Sequence, residues 1–226
     1  AKPDLMAVGK PLGGGVFPLD QSVSNAYIGV YNELGQHLWS RSIGTPAGSD
    51  LAKSVAINAA GEVLVAGTYK DMVDVGGKSL STQSGSADIS LVPYMPDGTA
   101  LWAKSYGDAA NQSLTAMAEN AKGNAVLAGT LTGTVDFGGG PLMDDLLGSS
   151  IFLAVLDSQG NHLWSRAFSH TLVSTTLTLA DVVIDDTDHV TVVGTFAKSI
   201  QLDSFMLQAV DKSDVFAARF DPTGKV

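Results

Sequence analysis

Four histidines and 23 acidic side chains are the groups this 226-residue chain offers for acid–base or metal chemistry. The absence of cysteine excludes disulfides, thiolate zinc sites and cysteine nucleophiles together. His37 and His162 take the same place in two related phrases, where a third phrase has Ala100, so they read as surface residues at a strand edge. His170 follows Ser169 with no acid beside it, whereas His189 flanks Asp185, Asp186 and Asp188. Those three carboxylates could offer oxygen to calcium, but they lack the alternating spacing and closing glutamate of a calcium loop, so no metal is expected. There is no Gly-x-Ser-x-Gly elbow, no His-Glu-x-x-His, no phosphate-loop motif and no dinucleotide fingerprint. The triple glycine at 138–140 opens no helix and reads as a turn. With no acid, base and nucleophile converging, the chain reads as a non-enzyme without cofactor.

Composition narrows the class further. At 45% hydrophobic and 16% charged residues the chain is too apolar for disorder. A net charge of −10 with no basic cluster argues against nucleic acid. No run approaches the ~18 apolar residues of a membrane span. The opening Ala1-Lys2-Pro3-Asp4-Leu5 does not read as a signal peptide, so an export signal would lie outside this chain.

The elements that position these residues show themselves by repetition. Trp39, Trp102 and Trp164 stand 63 and 62 residues apart, each inside a phrase such as Gly160-Asn161-His162-Leu163-Trp164-Ser165-Arg166. The Gly-Thr pairs Gly67-Thr68, Gly129-Thr130 and Gly194-Thr195 keep nearly the same step. So do Val73-Asp74-Val75-Gly76-Gly77 and Val135-Asp136-Phe137-Gly138-Gly139, with an echo at Leu202-Asp203. Each unit reads as four strands. The second (63–68, 125–130, 190–195) is a near-continuous run of small and β-branched residues, as expected of a strand covered on both faces. The third lies at 27–31, 89–94, 152–156 and 216–220, and the fourth carries the tryptophan. Short strands at a period well above 40 predict an all-β chain, a β-propeller of 62–65-residue four-stranded blades, about 3.5–4 of them here. The whole chain, 1–226, forms one propeller domain or a segment of one, with blade parts at about 1–44, 45–107, 108–168 and 169–226. A β-sandwich would not need identical phrases, and a β-helix has shorter coils. The expected strand count per part is two, four, four and three. The ring either closes through residues 5–8 or belongs to a longer array, which leaves association with a further copy or neighbouring blades open.

These phrases resemble the SBBP-type β-propeller repeat of bacterial cell-surface and secreted proteins, common in myxobacteria and their relatives. The likeness rests on residues 123–130, on the Gly-Thr-Val-Asp-Phe-Gly-Gly-Gly run at 133–140, and on 151–161; it covers about 13–226. It implies a propeller fold and a secreted or cell-surface location, and it carries no settled chemistry.

Function is then expected where the connections are long. The first-to-second and third-to-fourth turns are tight, while 69–87, 131–150 and 196–214 within units, and the connections between units, are long. Long loops on a rigid scaffold collect binding residues. Met72, Asp145, Leu147 and Met206 on the within-unit loops, with Leu172 and Val173 between units, are the candidate contacts. The tight-turn face is expected to offer little area and no pocket. The leading expectation is a non-catalytic exported recognition or scaffold module that binds a protein or surface polymer through its long-loop face. Two alternatives stand beside it. One is a lectin that binds glycans at repeated blade pockets. The other is an inhibitor of a secreted protease, contacting it through Lys70, Lys78 or Lys198. The tryptophans read as packing between units in preference to a sugar-stacking ring. Asp74, Asp136 and Asp203 read as turn caps.

Overall fold

The computed structural model describes residues 26–44, 50–83, 85–144, 150–168 and 177–226. Among them every regular element is a β-strand, and no helix is long and apolar enough to cross a membrane. The first sheet pairs β1 (Ala26–Tyr31) with β2 (His37–Ile43). In the second, β3 (Leu51–Ile57) and β4 (Val63–Lys70) are followed by a small hairpin, β5 (Met72–Asp74) and β6 (Ser79–Ser81). The chain then returns as β7 (Ala87–Tyr94) and β8 (Lys104–Tyr106), and the order β3-β4-β7-β8 is antiparallel throughout. The third sheet repeats this with β9 (Gln112–Glu119), β10 (Ala125–Leu131), the hairpin β11 (Thr134–Asp136) and β12 (Pro141–Met143), then β13 (Ser150–Leu156) and β14 (His162–Phe168). The fourth has β15 (Leu177–Ile184), β16 (Val190–Phe196), the hairpin β17 (Ser199–Leu202) and β18 (Phe205–Gln208), then β19 (Asp214–Phe220).

Sequence alternation dictates how these sheets stack. In β10, Val126 and Ala128 face the fourth sheet together with Ile151, Leu153 and Val155. Their neighbours Ala125 and Leu127 face the second sheet, with Phe152, Ala154 and Leu156. Both faces are therefore core, which explains apolar runs without polar interruption. Each fully buried Leu, Ile or Phe contributes about 1.5–3 kcal/mol to this stack. The first strands β3, β9 and β15 are packed side by side.

Six of the seven tight turns among the described residues share one device, which the turn at Met95 lacks. Asn32, Asn58, Asn120, Asp157, Asp185 and Asp221 each accept, through one side-chain oxygen, the backbone N–H groups two and four residues on, at 2.8–3.1 Å. This closes the turn before either flanking strand must be complete. Where the turn begins with Asp, the charge is stabilised too. The Lys225 N–H, then the Thr223 hydroxyl, hold the Asp221 carboxyl down at about 2. Thr187 does the same for Asp185, also at about 2. Because these folded values lie below the ordinary 3.8, their stabilisation is present above pH 3.8 and is lost as pH falls through about 2. Asp221→Asn keeps an acceptor, as Asn32 and Asn58 show. It should therefore leave the melting temperature near neutral pH almost unchanged and flatten its fall between pH 4 and 2. An acid limb identical to wild type would remove Asp221 as its source.

The within-unit connections, read as long loops from the sequence, carry regular strands among the described residues. They fold back as the three small hairpins, and alternate residues explain why. Val73, Val75, Val135, Phe137, Ile200 and Leu202 are all buried. Each pair enters the seam between its own sheet and the one before. Val73 and Val75 join Trp39 and Ile43 of the first sheet to Val92 and Tyr94 of the second, where the Tyr94 hydroxyl donates to the Val75 carbonyl at 3.0 Å. Val135 and Phe137 meet Tyr106 of the second sheet and Phe152 of the third. Ile200 and Leu202 meet Trp164 and Phe168 of the third sheet and Phe216 and Phe220 of the fourth. The hairpins are wedges that fill the outer part of each seam.

Candidate functional site

Of the expected contact residues, Met72 and Met206 are exposed, at 51% and 55%. Asp145, Leu147, Leu172 and Val173 lie outside the described residues, as do Leu146, His170 and the proposed closing segment 5–8. The registers show what Met72 and Met206 have in common. Met72 pairs with Ser81, Met143 with Thr134, and Met206 with Gln201. In each case the adjacent pair (Val73 with Leu80, Val135 with Leu142, Ile200 with Leu207) carries the residue that enters the seam. By strand alternation the three methionines therefore stand on the opposite, outward side of their hairpins. Met143 is 66% exposed. From the sequence Met72 and Met206 are expected on long loops; the structure places them on short strands. They sit on two-stranded wedges, each anchored in a seam by a buried residue.

The tryptophans hold adjacent sheets together. Trp39 lies against Gly98, Trp102 against Gly160 and Trp164 against Gly224, so close that a Cβ on those glycines would stand 2.7–2.8 Å from the indole. Two residues on, Arg41 Nε donates to the Gly98 carbonyl and Lys104 Nζ to the Gly160 carbonyl. Arg166 instead donates to the Asp203 carboxylate, whose second oxygen accepts the Val226 N–H at 3.0 Å. Asp203 is thus a junction between sheets and not the simple turn cap expected of it. Asp74 and Asp136 do cap their turns, each accepting two glycine N–H groups.

Trp39 and Trp164 are buried, but Trp102 is only half-buried. The cause is Pro93, which stands opposite Trp102 where the other sheets have Val30 and Val155. Its carbonyl accepts the Leu101 N–H at 2.9 Å, yet it has no N–H to return. The ladder breaks there, and β8 begins only at Lys104. Neither buried indole offers a face for sugar stacking.

His37 and His162 are half-buried and not simple surface residues. His37 packs edge-on against Tyr31 at 5.6 Å, and His162 Nε2 contacts Ser165 Oγ at 3.0 Å. The Asp185-to-His189 turn is occupied by protein donors. Asp188 accepts from Asn120 and Asn124 at 2.8 Å and from Lys122 at 2.6 Å, Asp186 from the Ala121 N–H, and Asp185 from Arg219. This cluster plugs the tight-turn end of the seam between the third and fourth sheets. Lys70, Lys78 and Lys198 are exposed, with Lys78 in the β5–β6 turn.

The same end of the preceding seam is open, against the expectation of no pocket on this face. Gly123 takes the place of Asp188, Asn58 that of Asn120, and Glu62 that of Asn124. Without the plugging side chain a cavity of about 340 Å³ remains. Asn58, Glu62, Glu119, Trp102 and Asp157 line it above an apolar floor of Leu64, Leu91 and Pro93. Burial, then the neighbouring Glu62 charge, push the Glu119 carboxyl above its usual range.

Compared with known proteins, the chain matches no protein-family model and no curated sequence.

Proposed function

We propose that this chain is a non-catalytic, exported bacterial recognition or scaffold module, its sheets consecutive blades of a β-propeller of the SBBP-repeat kind. Stacking through the first strands, recurrent strand order and a repeat of about 63 residues support the propeller reading. The observation that carries the function is the outward methionine on each of three successive hairpins. Methionine is unbranched and polarizable, so a row of such side chains fits a protein partner's apolar surface without demanding one exact shape. The wedge beneath each one is anchored in a seam, so little ordering entropy opposes the contact.

Met72→Asp, Met143→Asp and Met206→Asp should each leave the melting temperature near wild type, because the side chains are outside the core. At least one should weaken binding to a partner recovered by affinity capture about tenfold or more, as expected for a central contact. Undiminished affinity in all three would defeat the reading.

A further inference from the structure

The open cleft between the second and third sheets is independent of the hairpin surface and has its own chemistry. We infer that it binds a primary alkylammonium group, such as the end of a lysine side chain. Three carboxylates line it, Glu62, Glu119 and Asp157, and no lysine or arginine does. In the plugged seam next to it, by contrast, the Asp188 carboxylate meets the Lys122 ammonium and two amides. The open cleft has Gly123 in place of that carboxylate and Ala60 in place of Lys122, so its own acceptors, Glu62, Glu119 and Asp157, meet no cation among the lining residues; Lys104 Nζ, outside the lining, lies 5.4 Å from the Trp102 ring centroid. Glu119 Oε2 is buried and makes no close hydrogen bond: the Asn58 amide pulls on this carboxyl but is committed to Glu62 at 2.9 Å. A buried acceptor left unmade is costly, and an ammonium brings three donors.

The rest of the lining fits what carries the ammonium. Leu64, Leu91 and Pro93 offer a surface for methylenes, and the half-buried Trp102 indole is open to the cleft because Pro93 interrupts its strand. A cation beside an aromatic face and carboxylates in a partly desolvated pocket is held more firmly than at an open surface. A volume of about 340 Å³ accommodates a lysyl side chain with room for a few waters.

The test is calorimetric titration of the full chain with 1,5-diaminopentane, with 1-pentanol and methyl glycosides as neutral probes. Saturable binding of the diamine alone is expected, weakened at least tenfold in Glu119→Gln and unchanged in Arg219→Ala, with folding checked by near-ultraviolet circular dichroism. Trp102→Phe, which keeps an aromatic wall, should weaken binding less than Glu119→Gln. No saturable diamine binding, equal binding by Glu119→Gln, or preference for a methyl glycoside would each overturn the inference. Met143→Asp should leave diamine binding unchanged, so this site and the hairpin surface can fail separately.

Discussion

Trp164→Ala should destabilise the chain by about 3–5 kcal/mol, whereas Trp102→Ala should cost less than about 2 kcal/mol. The two residues occupy equivalent places in the repeat, so the difference isolates their surroundings. Trp164 is 7% exposed, packed on Gly224 and 6.0 Å from the Phe220 ring, in a core shared by the third and fourth sheets. Its removal leaves a cavity that neither sheet can close without shifting. Trp102 already borders open space, so truncation there enlarges an existing cleft. Urea unfolding midpoints of both variants, with slopes compared, provide the measurement. Equal losses would mean that the break at Pro93 does not loosen the packing around Trp102.

Gly129→Ala should cost about 3 kcal/mol or more, through overpacking that cannot relax. The reason lies in a bulge. β10 pairs Ala128 with Ala116 but Gly129 with Leu114, leaving Thr115 without a partner. The extra residue turns the Ser113 carbonyl toward Gly129, where a Cβ would lie 2.1 Å from that oxygen and 2.7 Å from the Phe152 ring. Backbone on one side and a fully buried ring on the other leave nowhere to move. Gly67 and Gly194 meet the Leu51 and Thr178 carbonyls in the same way, opposite bulges of their own. The recurrent Gly-Thr pair is thus a bulge signature. Gly29→Ala is the control. Its nearest neighbour is a movable Tyr31 ring at 3.3 Å, and a loss there as large as at Gly129 would contradict this account.

The strands were legible because their marker residues are tied to backbone geometry that recurs. Glycine answers a carbonyl, tryptophan a facing glycine, and Asn or Asp opens every tight turn but the one at Met95. The hairpins were not, because three-residue strands such as Met72–Asp74 are too short to show a period. Their apolar residues, Val73 and Val75, flank Asp74 just before paired glycines that read as loop. Pro93 was a visible signal that one tryptophan differs from the others, but its effect depends on which neighbouring strand its nitrogen faces. The open cleft was encoded in a single exchange, Asp188 for Gly123. In isolation that exchange read as an acidic turn. Only the opposing Asn120 and Asn124, or Asn58 and Glu62, reveal what the side chain fills.

The wedges also bear on the order in which the chain can take shape as it leaves the ribosome. Each hairpin precedes the third and fourth strands of its own sheet, yet the seam it fills is the one with the sheet already made. Val135 and Phe137 emerge before β13 and β14 and can bind at once against Tyr106 of the second sheet. A nascent sheet is therefore docked on finished structure while only half synthesised, which shields its free edge from other chains during the interval when pairing errors are commonest. The Trp164 contact with Gly224 forms only when the fourth sheet's last turn arrives, so it fastens a joint that the wedge has already aligned.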